Sequence, residues 1–315
     1  MAALLPQLYI RESASLAPLW AAAAQQALPG YEPVLGSKNV DPHRAELALV
    51  WKPTPGFLAS LPNLKLVVSV GAGVDHIVMS DPQFPRHVPL VRMVDPGLTQ
   101  GMCDYVAWAC LSVLRQAQFY RQEQAAKRWE TKPLVPATQR SVGVLGLGRI
   151  GLPVAQTLQH LGFQVRGWSR TPKTISGLES HAGDEGFFQI LRQSDMIVNL
   201  LPATPQTQDM LGVSAFDAFK PGAALINAGR GATVDEHALL KALDTGQVGA
   251  AYLDVFKTEP LPDQHRLWSH PSVTLTPHNA SITHPESGVR ALSRAVAEMA
   301  AGKPLSNLVN WDQGY

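Results

Sequence analysis

The chain has 315 residues, of which 45% are hydrophobic and 16% are charged, and its formal net charge at pH 7 is +1. A chain of this length can bury a sizeable core and favours two domains. Because a nearly neutral chain has no basic field to attract nucleic acid or an anionic membrane, we expect neither as a partner and predict a small-molecule substrate instead.

Two local features narrow the class of protein further. The alanine-rich stretch 14–28 contains Pro18 and is too short to span a bilayer. The cysteines Cys103 and Cys110 lie a heptad apart in a predicted helix, a spacing that favours core-facing thiols over a disulfide or a metal site. We therefore expect a soluble, cytoplasmic protein without a metal ion.

The first hundred residues predict a small α/β domain, because strand-like runs alternate there with helical or turn-rich stretches. These runs are 8–10, 47–51, 66–70 and 90–93. Apolar residues near helical spacing then predict a long amphipathic helix over 100–124. The polar, proline-bearing passage 128–140 follows, and we interpret it as the crossing between two domains.

A glycine-rich segment occupies the middle of the chain, where 141–151 reads SVGVLGLGRIG. The apolar run predicts a buried strand, and 149–161 predicts the helix after it. Gly146 would permit the tight turn, Gly148 would let the backbone approach a pyrophosphate, and Gly151 would let the helix pack on the strand. The free N–H groups at the helix N-terminus favour phosphate. The dinucleotide contacts predicted here are Gly146, Gly148, Arg149, Ile150 and Gly151.

The residues after the next strand indicate which dinucleotide is bound. The run 163–168 is followed by Ser169, Arg170, Thr171 and Lys173, where an acidic residue would bind the ribose 2′-hydroxyl of NAD. A 2′-phosphate would instead meet a guanidinium, an ammonium and two hydroxyls, so the sequence predicts NADP(H). The alternative is that the two cations simply solvate a loop.

Strands and helices continue to alternate in the second half, as a doubly wound parallel sheet requires. The predicted strands are 196–200, 224–227, 250–254 and 273–275, with a helix over 235–243. The last helix, 285–301, is expected to return to the first domain. We therefore predict a discontinuous substrate domain, 1–99 plus 285–315, and an inserted NADP-binding domain, 100–284.

Three polar residues follow neighbouring strands of the second half. Arg230 lies in INAGRG, Glu259 in LDVFKTEPLP and His278 in TPHNAS. Each alone has an ordinary explanation, as a surface charge, a loop acid or a hydrogen-bonded loop histidine. Because ligands bind at the carboxyl edge of open parallel sheets, the three together predict an active site.

These motifs, in this order and with VGAGVDHI at 70–77, resemble the D-isomer-specific 2-hydroxyacid dehydrogenases over nearly the whole chain. WKP at 51–53, GWSRTPK at 167–173 and the C-terminal QGY are similar to the bacterial glyoxylate/hydroxypyruvate reductases of the A type within that family. The resemblance implies an α/β fold in which a doubly wound parallel Rossmann domain is inserted into a smaller, flavodoxin-like α/β domain. It also implies an active site in the cleft between the domains and a homodimer.

The resemblance assigns a catalytic role to each of the three polar residues. Arg230 would bind the carboxylate and carbonyl of a 2-oxo acid, for which a planar fork of donors is suited. His278 would protonate the carbonyl oxygen as hydride arrives from the nicotinamide. Glu259 would orient the imidazole and favour its charged form. The implied reaction is NADPH-dependent reduction of glyoxylate to glycolate and of hydroxypyruvate to D-glycerate.

Further contacts follow from the same resemblance. The substrate-binding residues are expected to be Trp51, Ala72, Gly73 and Arg230. The remaining cofactor-binding residues are expected to be Leu201, Pro202, Thr207, Ala228, Arg230, Asp254 and His278, with Asp254 holding the nicotinamide carboxamide. A plain tight turn at 71–73, apolar packing of Leu201 and Pro202, and a core position for Trp51 are the alternatives.

Two other functions remain open. The first is another D-2-hydroxyacid dehydrogenase, of the phosphoglycerate or D-lactate type. The phosphoglycerate enzyme is disfavoured, because the cofactor loop lacks an acidic residue and no regulatory domain is expected after Tyr315. The second is a dinucleotide-sensing interaction protein, since the family's fold also serves in transcriptional corepressors. The set of Arg230, Glu259 and His278 favours catalysis over the second function.

Overall fold

The computed structural model describes residues 4–78 and 80–311, so the C-terminal QGY motif lies outside the described residues. The chain divides into two compact units. The first comprises Met1–Leu98 and Ile282–Tyr315, and the second is Thr99–Ser281. The assignment of substrate binding to one predicted domain and of NADP binding to the other stays a prediction.

A parallel sheet in the order β2-β1-β3-β4-β5 forms the centre of the first unit. Its strands are β1 (Gln7–Arg11), β2 (Glu32–Leu35), β3 (Ala45–Val50), β4 (Leu66–Ser69) and β5 (Leu90–Val91), with the helices α1 (Ala17–Ala27) and α2 (Asp75–Val78) between them. This order is the flavodoxin-like one. Strand β2 was not predicted, and only Val34 is buried in it.

Both faces of this sheet are covered by apolar side chains. On β1, Leu8 and Ile10 belong to one core cluster and Tyr9 to the other, because successive side chains of a strand point to opposite faces. Burial of both faces is typical of parallel sheets.

A parallel sheet in the order β12-β11-β10-β9-β6-β7-β8 forms the centre of the second unit. The helices α3 (Pro96–Leu114) and α4 (Ala117–Ala125) precede its first strand, and α5 (Gly151–His160), α6 (Gly183–Gln193), α7 (Val213–Asp217) and α8 (Glu236–Asp244) lie between its strands. The strands are β6 (Ser141–Leu145), β7 (Gln164–Ser169), β8 (Glu179–Ala182), β9 (Met196–Asn199), β10 (Ala223–Asn227), β11 (Val248–Leu253) and β12 (Val273–Leu275). The order is that of dinucleotide-binding domains with one strand added. The α/β prediction is confirmed.

The chain returns to the first unit through α9 (Pro285–Ala300). This helix packs closely on α1, since a Cβ atom at Gly288 would lie 2.1 Å from the indole of Trp20. Glycine is therefore required where the two helices meet.

Two predictions before the glycine-rich segment are wrong. The helix expected over 100–124 is interrupted at Gln116, whose φ of 55° is left-handed, so α3 and α4 are separate helices. The passage 128–140 is not a crossing, because it lies inside the second unit. Two hydrogen bonds connect the passage to α4 and the residue before it. The side chain of Gln116 donates to the carbonyl of Pro133 (3.3 Å), and the backbone N–H of Lys132 donates to the Tyr120 hydroxyl (3.3 Å).

A partly buried polar network lies at the amino edge of the second sheet. The Asp195 carboxylate accepts hydrogen bonds from the Ser141 N–H (2.8 Å), the Ser141 hydroxyl (2.8 Å) and the Lys220 ammonium (3.1 Å). Burial raises the pKa of Asp195, but these hydrogen bonds and the Lys220 charge outweigh it, so the net pKa lies below the usual value. The network therefore stabilises the folded protein while Asp195 is ionised.

We expect Asp195→Asn to lower the free energy of unfolding by about 1–3 kcal/mol near pH 7, since hydrogen bonds to a charged group are lost. A carboxyl group whose pKa is lowered by folding stabilises the protein above its unfolded pKa and loses that effect as pH falls. The difference between the variant and the wild type should therefore shrink below about pH 4. Urea unfolding at both pH values measures it, with the exposed Asp263→Asn as the control. A difference that does not change with pH would contradict the explanation.

Candidate active site

The glycine-rich loop connects β6 to α5 at the carboxyl edge of the second sheet. Gly146 turns the chain with a φ of 103°. A Cβ atom at Gly151 would lie 1.8 Å from the carbonyl oxygen of Gly146, whereas a Cβ atom at Gly148 would meet nothing within 4 Å. The helix begins at Gly151, so Arg149, which is exposed, and Ile150, which is half-buried, belong to the turn before it. The loop thus offers open space and helix N–H groups to a pyrophosphate.

The predicted 2′-phosphate residues begin with Ser169, the last residue of β7, which is the neighbour of β6 in the sheet. The Ser169 hydroxyl donates to the carbonyl of Thr171 (2.8 Å), which closes the turn. The Lys173 ammonium donates to the carbonyl of Leu147 (2.6 Å) and so links this turn to the glycine-rich loop. Arg170 and Thr171 are exposed. Arg170 is therefore the cation most available to a bound phosphate.

The loop after β9 holds its own shape through Thr207. The Thr207 hydroxyl donates to the carbonyl of Pro202 (2.6 Å) and accepts from the N–H of Thr204 (2.9 Å). Leu201 is buried in a core cluster, and Ala228, directly after β10, is also buried. The structure places these residues at the same sheet edge as the glycine-rich loop. Their contact with a cofactor stays a prediction.

Buried polar side chains fix the backbone that carries Arg230. Asn199 ends β9 and donates to the Asn227 amide oxygen (3.0 Å) and to the Thr233 hydroxyl (2.6 Å). Thr233 in turn donates to the carbonyl of Arg230 (2.6 Å), and the Arg230 guanidinium donates to the carbonyl of Gly229 (2.8 Å). Neither asparagine was predicted to belong to the site. The signal was present, since each is a single amide residue at the end of an apolar strand.

The loops that carry Arg230 and Glu259 pass very close to each other. A Cβ atom at Gly231 would lie 2.0 Å from the carbonyl carbon of Phe256, so only glycine fits there. The N–H of Phe256 donates to Glu259 Oε1 (3.1 Å), which fixes one oxygen of that carboxylate. The two loops therefore form one structural element at the ends of β10 and β11.

Glu259 and His278 are hydrogen-bonded partners. Glu259 Oε2 lies 2.7 Å from His278 Nδ1, and the two side chains are 21% and 29% exposed. Because an ionised carboxylate only accepts hydrogen bonds, Nδ1–H is the donor of this pair, and the imidazole ring remains partly exposed. The structure thus brings together the predicted acid pair beside the loop of Arg230. This arrangement suits delivery of a proton to an acceptor.

Asp254 has a role that the sequence did not predict. It is 2% exposed, and its carboxylate accepts from the Thr276 hydroxyl (2.6 Å), the N–H of Asn279 (2.9 Å) and the N–H of Ala280 (3.0 Å). These groups flank His278 in the chain. The contact of Asp254 with a nicotinamide carboxamide stays a prediction. Thr276, in the TPHNAS motif, was not predicted to belong to the site.

The predicted substrate residues of the first unit lie at the carboxyl edge of its own sheet. Trp51 follows β3, and Ala72 and Gly73 follow β4. The Trp51 ring stacks on the His76 ring with centroids 3.9 Å apart, and a Cβ atom at Gly71 would lie 2.9 Å from the indole. Trp51 therefore packs directly against the glycine loop that contains the other two residues.

Residues 4–78 and 80–311 contain no group of three or more His, Cys, Asp or Glu side chains placed to hold a metal ion. Within the same ranges, every helix is too short or too polar to cross a bilayer.

Comparison with known proteins identifies the family. Residues 107–280 match the model of the NAD-binding domain of D-isomer-specific 2-hydroxyacid dehydrogenases. A glyoxylate/hydroxypyruvate reductase A of Yersinia enterocolitica is 41% identical over 304 residues, which cover 93% of this chain and 96% of the relative. The chain belongs to the D-isomer-specific 2-hydroxyacid dehydrogenase family.

Solved structures agree with this membership. A member of the family from Xanthobacter autotrophicus Py2, in complex with NADPH and MES, has a TM-score of 0.94 at 37% identity, covering 99% of this chain and 100% of that one. An NADPH-dependent glyoxylate/hydroxypyruvate reductase of Sinorhizobium meliloti, in complex with NADP and sulfate, has a TM-score of 0.92 at 34% identity with the same coverage.

The two loop glycines give a test of the dinucleotide site. We expect Gly148→Ala to leave the melting temperature unchanged and to weaken NADPH binding by about tenfold or more, because the new methyl enters the open space over the loop. Gly151→Ala should also lower stability, by about 1–3 kcal/mol, since its methyl collides with the Gly146 carbonyl. Calorimetry and NADPH fluorescence titration measure both effects. Gly30→Ala, at another open glycine, is the control; wild-type affinity in Gly148→Ala would refute this assignment.

Proposed function

We propose that the chain reduces glyoxylate to glycolate and hydroxypyruvate to D-glycerate with NADPH. The observation that carries the proposal is the hydrogen bond of 2.7 Å between Glu259 and His278 at the sheet edge that also holds the glycine-rich loop. The relatives from Yersinia enterocolitica and Sinorhizobium meliloti support the choice of substrates, because both are named glyoxylate/hydroxypyruvate reductases.

Arg230, His278 and Glu259 each have a separate role in the proposed reaction. Arg230 binds the carboxylate of the 2-oxo acid through its planar fork of N–H donors and draws electron density from the carbonyl. NADPH, when bound, supplies the hydride. His278 donates the proton of Nε2 to the carbonyl oxygen as negative charge develops there. Glu259 accepts the Nδ1–H, which holds the ring in place and stabilises the imidazolium before it gives up its proton.

NADP(H) is the cofactor that fits the chain. The open space over Gly148 and the N-terminus of α5 suit a pyrophosphate, and Arg170 is exposed where a 2′-phosphate would lie. The complexes of two solved relatives with NADPH and NADP support this assignment.

We also propose substrate contacts in the first unit, a cellular location and an oligomeric state. Backbone N–H groups at Ala72 and Gly73 receive the substrate carboxylate, and Trp51 keeps one side of the pocket apolar. Glycine at 71 and 73 allows the backbone to approach closely. The proposed state is a cytoplasmic homodimer.

We expect the purified protein to oxidise NADPH with glyoxylate and hydroxypyruvate faster than with pyruvate or a bulky 2-oxo acid. His278→Ala should lower kcat by about 10²–10⁴-fold, because the proton donor is lost. The control is His181→Ala, since His181 is likewise bonded to a glutamate (Glu179, 2.8 Å) but lies on β8. Tight NADPH binding without turnover of any 2-oxo acid would favour the sensor instead. A preference for pyruvate would favour a D-lactate enzyme.

Arg170→Ala tests the cofactor assignment. Loss of one charge-assisted hydrogen bond costs about 1.5–3 kcal/mol, so the Kd for NADPH should rise by roughly tenfold to a hundredfold. The Kd for NADH should stay nearly unchanged, because NADH has no 2′-phosphate. Fluorescence titration with both dinucleotides gives the two constants, and Arg192→Ala at the end of α6 is the control. Equal effects on both would overturn the assignment.

A further inference from the structure

We propose that Asp254 is a positioning residue for His278, because its carboxylate folds the loop 276–280 into the conformation in which the imidazole meets Glu259. This inference rests on the proposed function of His278 as the proton donor. It differs from the nicotinamide contact that the resemblance implied for Asp254, since it assigns the carboxylate to the protein's own backbone.

The first argument is the conformation of His278. Its φ of 52° is left-handed, which is uncommon for a residue with a side chain and persists only where the surroundings enforce it. Glu259 contacts the ring of this residue. Other groups contact its backbone and that of its neighbours.

Asp254 supplies hydrogen-bond acceptors to residues on both sides of His278. Its carboxylate accepts from the Thr276 hydroxyl (2.6 Å) before the histidine and from the N–H groups of Asn279 (2.9 Å) and Ala280 (3.0 Å) after it. Its own carbonyl accepts the N–H of His278 (2.8 Å). Asp254 is 2% exposed, so these bonds form away from competing water.

Asp254 is itself held by the sheet and by a neighbouring helix. Its N–H donates to the carbonyl of Asn227 at the end of β10 (2.9 Å). The Thr276 hydroxyl, which donates to Asp254, lies 2.9 Å from the Tyr105 hydroxyl on α3 and so accepts from it. Burial raises the pKa of Tyr105, so this hydroxyl keeps its proton. The loop of His278 is thus fixed through Asp254 to the end of β10 and to α3, in addition to the contact of its ring with Glu259.

The consequence for catalysis is large because proton transfer depends on geometry. A displacement of about 1 Å at a reacting group costs as much as 10²-fold in rate. A loop released from Asp254 would leave the His278 side chain present but misplaced. The signature is a loss of kcat with little change in cofactor binding.

The experiment compares Asp254→Ala, Asp254→Asn and Thr276→Val in the full-length protein. We expect Asp254→Ala to lower kcat for hydroxypyruvate about 10²-fold and to change the Kd for NADPH by less than about threefold. Asp254→Asn keeps an oxygen that accepts from Thr276 and the loop N–H groups, so it should recover most of the lost kcat. Thr276→Val, which removes one donor, should lower kcat about threefold to tenfold.

Asp195→Ala is the matched control, since Asp195 also binds a backbone N–H and a hydroxyl but lies at the amino edge of the sheet. It should lower stability and leave kcat per folded molecule unchanged. The proposal is overturned if Asp254→Ala loses no more kcat than Asp195→Ala, or if it raises the Kd for NADPH tenfold or more while kcat is kept. If Asp254→Ala does not fold, the kcat and the Kd for NADPH of Thr276→Val test the proposal in its place.

A measurement independent of turnover separates this proposal from the proposed function. The proton on His278 Nδ1, hydrogen-bonded to Glu259, gives a downfield NMR resonance that His278→Ala identifies. Loss of the resonance in Asp254→Ala, with its retention in Asp254→Asn, supports positioning even if the wild type reduces neither substrate. Persistence of the resonance in Asp254→Ala overturns the proposal.

Discussion

Parallel strand pairing in the second unit is the constraint on which the rest depends. Because the paired strands run in one direction, the glycine-rich loop and the loops of Arg230, Glu259 and His278 all follow carboxyl ends at the same edge. Residues that are far apart in the sequence are thereby brought to one edge of the sheet by the direction of the strands alone. Within the second unit, this edge combines the glycine-rich turn, the hydrogen-bonded pair of Glu259 and His278, and the Arg230 guanidinium.

Convergence alone does not orient the side chains, and buried polar residues provide the orientation. Asn199 and Asn227 fix the backbone that carries Arg230, while Asp254 fixes the loop of His278. Such groups are costly to bury unless their hydrogen bonds are satisfied. Each of the three is satisfied by partners at the sheet edge, so the same bonds that stabilise the fold also position the chemistry.

The sequence allowed the parallel α/β fold to be predicted because apolar strands, glycines and helix starts are local signals. It did not reveal β8, most of whose residues are polar, or the interruption at Gln116, whose left-handed backbone has no signal in the apolar pattern. Motifs located Arg230 and His278 in loops after strands. They could not show that Asp254 binds the loop 276–280, since hydrogen-bond partners across 22 residues are set by tertiary folding.

The bond between Lys173 and the Leu147 carbonyl (2.6 Å) has a consequence for coenzyme engineering. Redesign toward NADH would first remove the cations after β7, yet this lysine also braces the glycine-rich turn that is proposed to bind the pyrophosphate. Its replacement would disturb affinity for either coenzyme, whereas Arg170 has no such structural duty among the contacts described. A change of preference is therefore better sought at the arginine, with the lysine retained as scaffold.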